Sequence, residues 1–309
     1  MIVEGSTHLV RLLKPEIRPV LAVAVILVLV ELGNDRLGTS RPAFSFAAVG
    51  FLVTALSIFL VFRVNEAYAR WWEARTLWGR LVNASRGFAR QATTLLHAPS
   101  QGGDAPDKVD ALQRELVHRQ IAFAFALRLS LRGQGDWHEL APLLAGDELA
   151  ALDRAANKPT WLLQRQGRRI AEAQRAGRLS ELGQLMLNES LNQLHDVQGG
   201  CERIKHTAFP DRVAYFSKLV AWMVASLVAI VVMDPENGFD VIDWVVVPAM
   251  MLGFVITERV GAELRNPFES RPNDTPMTAL CRTIEIDLRQ VLGEEEVPEP
   301  LQPEGGILM

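Results

Sequence analysis

Residues able to make or break bonds are present in this chain, but none stands at a working interval from a partner. The six histidines, His8, His97, His118, His138, His195 and His206, are scattered, and no second ligand follows any of them at a metal-binding spacing. A lone histidine such as His195 or His206 reads as a surface or packing residue. Cys201 and Cys281 lie 80 residues apart with no Cys-x-x-Cys or Cys-His spacing, which argues against a disulfide framework or zinc site. Phosphate-cradling Gly-x-x-x-x-Gly-Lys, the Gly-x-Ser-x-Gly elbow and His-Glu-x-x-His are all absent. The expectation is no enzyme, no cofactor and no bound metal. What remains is a pattern suited to solvation rather than to covalent chemistry. Gly50, Thr54, Ile58 and Phe62 recur every fourth residue, a slowly drifting stripe on one helix face, and Glu66 continues it. Arg70-Trp71-Trp72-Glu73 comes next. By itself the stripe reads as lipid-facing or helix-packing, as on any apolar helix. Trp71 and Trp72 read as an aromatic belt at headgroup level, with Arg70, Arg75 and Arg80 as phosphate partners.

The elements that must position these residues follow from where the apolar residues lie. Of 309 residues, 49 % are apolar and 22 % charged, with a formal net charge of −4. Apolar residues concentrate in Pro19–Leu32, Pro42–Phe62, Val213–Met233 and Val241–Thr257, while charges fill the middle and the tail. An ordinary soluble enzyme is excluded, and so is a nucleic-acid binder held by net charge. The second stretch, at 1.5 Å per residue, reaches roughly 31 Å, about the hydrocarbon thickness of a bilayer. The first needs an extra helical turn from Pro15 to Arg18. No small-residue cleavage site follows it, only Glu31, Asn34, Asp35 and Arg36, so it is expected to remain as a membrane helix.

Basic residues set the orientation. Arg11, Lys14 and Arg18 precede the first stretch, and Arg63, Arg70, Arg75 and Arg80 follow the second. Arg203, Lys205 and Arg212 precede the third, and Arg259, Arg265 and Arg271 follow the fourth. The loop Asp-Pro-Glu-Asn-Gly-Phe-Asp between the last two has none, and Asp234 and Asp240 there read as solvated caps. Four crossings are expected, with both termini and the long middle on the cytoplasmic side. Helical periodicity is expected over 75–98, 108–132, 147–157 and 160–176, and Leu179, Leu182, Leu185, Met186, Leu191, Leu194 and Val197 read as one helix face. The expected organisation is a cytosolic segment 1–18, membrane helices in 19–62, a helical domain 63–212, membrane helices in 213–258, and a helical segment 259–292. The acidic, proline-spaced residues 293–309 are expected to be disordered.

From Phe62 the chain reads Phe-Arg-Val-Asn-Glu-Ala-Tyr-Ala-Arg-Trp-Trp-Glu-Ala-Arg-Thr-Leu-Trp-Gly-Arg, a membrane helix that runs directly into an Arg-Trp-Trp-Glu continuation. This closely resembles the bestrophin family of ion channels, in its bacterial branch. A second match runs from Asn266-Pro-Phe-Glu through Asn273-Asp-Thr-Pro to Thr283-Ile-Glu-Ile-Asp-Leu. The resemblance implies an all-α integral membrane protein of the bacterial inner membrane, a homopentamer with four transmembrane helices per subunit. Its implied partners are its own copies, membrane lipid and the permeant monovalent ions, with no nucleic acid.

In the family the second membrane helix lines the pore axis, and the matching neck positions are Thr54, Ile58 and Phe62. A ring of apolar side chains around a narrow axis offers ions no hydrogen bonds, so ions cross partly dehydrated and small changes of width decide whether the path is wet. Thr54 replaces the family's usual isoleucine and should loosen the outer ring. Glu66 either pairs structurally with Arg63 or Arg70, or places a carboxylate from each subunit at the inner mouth, where acidic rings favour cations. The family's cytosolic aperture falls on Leu185, with Leu182 one turn away. Eukaryotic members hold calcium after Asn-Pro-Phe, but the corresponding positions Asn266, Glu269 and Asp274 are too few in carboxylates, and no metal is expected there. The family default is passive conduction of chloride and other small anions. A cation channel biased by Glu66 is one alternative, and a sealed membrane scaffold with a partner-binding cytosolic domain is another.

Overall fold

Nothing in residues 46–95 stops a helix, because the stretch has no proline and its glycines stand singly among strong helix formers. In the computed structural model it forms one unbroken helix, α1 (Phe46–Leu95), of 50 residues and about 75 Å. The apolar stretch and the Arg-Trp-Trp-Glu continuation thus share one element. After it come α2 (Pro106–Arg132), a 3-10 turn (Trp137–Leu140), α3 (Gly146–Asp153), α4 (Lys158–Arg175), α5 (Glu181–His206), α6 (Asp243–Leu264) and α7 (Met277–Val291). The structure describes residues 46–98, 106–207 and 243–308, with helical fragments at 17, 20–21, 25, 215–216, 219–220, 222–224 and 226–227. The expected N-terminal segment 1–18, first apolar stretch Pro19–Leu32, third stretch Val213–Met233 and following loop lie outside the described residues apart from those fragments.

Two compact units divide the described residues, and the boundaries fall at Trp71/Trp72 within α1 and at Asn266/Pro267 after α6. In the first unit, Val49, Val53, Leu56 and Leu60 occupy one face of α1 at spacings of three and four, and pack with Val220, Val224 and Phe254. Hydroxyls here bond their own helix: Ser57 Oγ donates to the Val53 carbonyl at 2.7 Å and Thr257 Oγ1 to that of Gly253 at 2.8 Å. Among the described residues, α1 is the one helix long and apolar enough to cross a membrane.

The second unit is built around α2. Its segment Ile121-Ala-Phe-Ala-Phe-Ala-Leu127 is buried on every side, as expected for a helix apolar all round and flanked by charge, and α4 and α7 pack against it. Helix ends are marked chemically. Gly133 takes φ 64°, and the amides of Gly133 and Gln134 donate to the carbonyls of Ser130 and Leu129 at 3.1 and 2.9 Å, closing α2. Asn157 Oδ1 accepts from the Thr160 amide at 3.0 Å, and Ser180 Oγ from that of Gly183 at 3.0 Å. The helix expected over 147–157 stops at Asp153 because Asn157 starts the next one.

Two expectations change. Leu179, Leu191, Leu194 and Val197 are buried, but Leu182, Leu185 and Met186 are exposed on a different face of α5. Leu187, Leu191, Leu194 and Cys201, spaced by four, three and seven, form the packed face instead. The acidic tail, expected to be disordered, is held at its root. Glu294 accepts from Arg289 Nη1 at 2.7 Å and lies 2.7 Å from His118 Nε2, and residues 304 and 307 bridge each other in a terminal turn. The charge of Glu294 is locally paired, which composition alone does not show.

Candidate functional site

On α1 the residues Thr54, Ile58, Phe62 and Glu66 are all exposed in the single chain. Ile58 and Phe62 are 53 % and 66 % exposed, against 4 % and 2 % for Leu56 and Leu60 on the packed face. The stripe is therefore one continuous exposed face of α1 among the described residues. Thr54 Oγ1 donates to the Gly50 carbonyl at 2.8 Å, so its hydroxyl is satisfied within the helix and contributes less polarity to that face.

At the charged end of this face Arg63 is buried, and its Nη1 lies 3.0 Å from Glu258 Oε1 of α6, itself nearly buried. An arginine engaged by Glu258 does not neutralise Glu66. Among the described residues Glu66 forms no ion pair, and it stands exposed one turn beyond Phe62. Glu258 was not singled out from sequence. Its signal was available: an acid closing the fourth apolar stretch and an arginine closing the second, where ionisable groups seek each other.

In the Arg70-Trp71-Trp72-Glu73 motif, the Tyr68 and Trp71 rings stack at 5.9 Å and Trp72 is exposed. Glu73 pairs with Arg203 of α5. One turn on, a Cβ at Gly200 would meet Leu77 Cδ1 at 2.9 Å, so glycine there allows α5 to lie close against α1. Leu182 and Leu185, expected from the resemblance at a cytosolic aperture, are 68 % and 66 % exposed on α5. Beside them a groove of about 940 Å³ runs between α1 and α5, with Arg80, Arg90, Leu185, Met186 and Glu189 in its walls. Thr54, Ile58 and Phe62 thus belong to one unit and Leu182 and Leu185 to the other, and all five are exposed.

The positions of the calcium clasp are engaged otherwise. Glu269 Oε1 accepts from Lys205 Nζ at 2.8 Å. Asp274 Oδ2 accepts from the Arg271 amide at 3.0 Å, and burial pushes the Asp274 carboxyl up despite that bond. Asp274 Oδ1 is buried without a partner, and Asn266 is exposed. One free oxygen does not fit a hard dication that needs six to eight, and among the described residues no three metal-ligating side chains gather.

A helix whose first part is apolar and whose second part enters a helical bundle fits an all-α membrane protein fold. The chain belongs to the Bacterial/Fungal Bestrophin family, whose profile matches residues 6–290. It is 33 % identical over 262 residues to the voltage-dependent anion channel-forming protein YneE of Escherichia coli (strain K12), covering 84 % of this chain and 81 % of that one. A voltage-dependent anion channel-forming protein of Mesorhizobium japonicum is 32 % identical over 271 residues, 88 % of this chain and 82 % of the relative. The fold matches the crystal structure of a bacterial bestrophin homolog from Klebsiella pneumoniae with a TM-score of 0.79 at 24 % identity, covering 94 % of this chain and all of that one.

Proposed function

We propose that this chain is an anion channel of the bestrophin type, in which copies of α1 surround a water path and carry small monovalent anions down their gradient. One observation carries the reading: Thr54, Ile58, Phe62 and Glu66 form an uncovered face opposite a packed one, in a chain whose relatives at 32–33 % identity are named anion channel-forming proteins. Side chains of this size left exposed on a helix require either lipid or copies of themselves. In this reading the protein is a homopentamer of the inner membrane, crossing four times with both termini cytoplasmic. Thr54, Ile58 and Phe62 form the dehydrating neck, and Leu185 with Leu182 forms a second constriction. Weakly hydrated anions cross such a neck at lower cost than strongly hydrated ones.

Glu66, exposed and in no ion pair among the described residues, favours a second reading, a carboxylate ring at the inner mouth that biases conduction towards monovalent cations. The test is a planar-bilayer recording of purified protein in a potassium chloride gradient, with an impermeant substitute for each ion in turn. Anion conduction predicts a reversal potential near that of chloride and larger currents in the Ile58→Ala/Phe62→Ala variant. Reversal near the potassium potential, abolished in Glu66→Gln, supports the second reading, and an unchanged permeability ratio in Glu66→Gln removes it. Absence of current in both the wild type and the double alanine variant identifies a sealed scaffold and contradicts both.

A further inference from the structure

Between α2, α3 and α4, wholly within the second unit, lies a cavity of about 600 Å³ that the conduction path does not use. Its charges are unevenly committed. Arg119, 3 % exposed, donates through Nε to Glu148 Oε1 at 2.5 Å and through Nη2 to Glu148 Oε2 and Glu115 Oε1 at 3.0 and 2.8 Å. Arg169 Nε donates to both oxygens of Glu115 at 2.9 Å, and its Nη1 to Glu172 at 3.0 Å. These two guanidiniums occupy three of the four carboxylates that line the cavity. Asp147 is the fourth, exposed at the start of α3.

Arg114, Arg165 and Arg168 are engaged by none of these four carboxylates. Arg165 and Arg168 stand exposed on the same cavity-lining stretch of α4 as Arg169, at spacings of three and four that bring like charges together. Helix α4 carries five cations against the single carboxylate of Glu172, an imbalance that the fold itself does not resolve. Arg165 lies over the Trp161 ring at 6.0 Å, and Arg114 is 3.7 Å from Glu294. Arg119 Nη1 is buried in the wall with no hydrogen-bond partner. The α3 N-terminus also lines the cavity, and its cap residue Ala145 offers no side-chain acceptor to the first amides. Pro142, Leu143 and Leu144 supply an apolar wall.

From this geometry we infer a binding site for a small organic polyanion, with closely spaced phosphate or carboxylate groups against Arg165, Arg168 and Arg114 and an apolar body against Pro142–Leu144. Forked guanidiniums match such oxygens in pairs, and the volume suits a metabolite-sized ligand. The site is independent of the proposed conduction path.

Isothermal titration of the full-length detergent-solubilised protein, first with inorganic pyrophosphate and then with citrate, tests this in buffered 150 mM potassium chloride. Saturable binding of either is expected, and the stronger of the two identifies phosphate or carboxylate as the preferred group. Arg165→Gln/Arg168→Gln, both exposed and without a structural ion pair, should bind at least about tenfold more weakly while its melting temperature and elution volume stay unchanged. Arg154→Gln, an exposed arginine outside the cavity, should bind like the wild type. Absence of saturable binding of both probes overturns the inference. So does undiminished binding in the double variant, or an equal loss in Arg154→Gln, which would indicate diffuse charge attraction.

Discussion

The two halves of α1 solve opposite problems with one backbone. Up to Trp71, large apolar side chains such as Phe51, Ile58 and Phe62 stand exposed, and Arg63 is buried. From Trp72 the order reverses: Trp78, Leu81, Phe88 and Ala92 are fully buried, while Arg80, Arg86 and Arg90 face outward. The second half obeys the rule of a helix in water, and the first breaks it. Because no helical break separates them, the difference arises from surroundings and not from local conformation. A half that exposes phenylalanine and buries arginine suits surroundings other than water, and the proposed function supplies them as lipid and neighbouring copies.

Substitution of the same residue type in each half gives the largest expected contrast. Phe88→Ala should lower unfolding stability by about 3–5 kcal/mol, as for a fully buried aromatic. Phe62→Ala should leave the melting temperature within a few degrees of wild type and instead raise the current. A large stability loss in Phe62→Ala without any change in current would break the comparison.

Arginines sharpen it further. Arg63→Ala leaves Glu258 buried and uncompensated and should cost about 3–5 kcal/mol, while Arg63→Met/Glu258→Leu should recover most of that in thermal unfolding. Arg86, paired with Asp287 at 2.7 Å on an open surface, should cost under about 1 kcal/mol when cut to alanine. Equal losses at the two positions would show that the halves share one environment.

The smallest effect concerns the tail. Burial pushes the Glu294 carboxyl up, but the bonds from Arg289 and His118 outweigh it and hold the carboxyl below the usual value of 4.5. A depressed carboxylate contributes stability that is fully present above its unfolded value and is lost as pH falls through its folded one. Glu294→Gln should therefore be less stable than wild type by under about 1 kcal/mol at pH 7, and the two unfolding curves should converge as pH falls through the depressed Glu294 value.

Local patterns were legible in the sequence, and pairings across it were not. The four-residue recurrence from Gly50 to Phe62 predicts a shared face, and the periodicity expected over 108–132 ends where α2 ends, at Arg132. The single-face reading of α5 failed because leucine occurs on both its packed and open sides, so apolarity alone could not separate Leu185 from Leu187. The Arg63–Glu258 pair and the Glu294 anchor join residues more than 170 positions apart, and no local periodicity encodes such contacts. The polyanion cavity was invisible for the same reason, being assembled from α2, α3 and α4.

The most direct test of the central claim uses cysteines introduced at positions 58 and 62. The native thiols do not interfere, since burial pushes both Cys201 and Cys281 up to about 12 and hides them from reagents. If α1 surrounds a water path, a small water-soluble, membrane-impermeant thiol reagent should label both positions in reconstituted protein and reduce its current. Labelling of both only by a lipid-soluble reagent, with the current unaffected, would contradict the account.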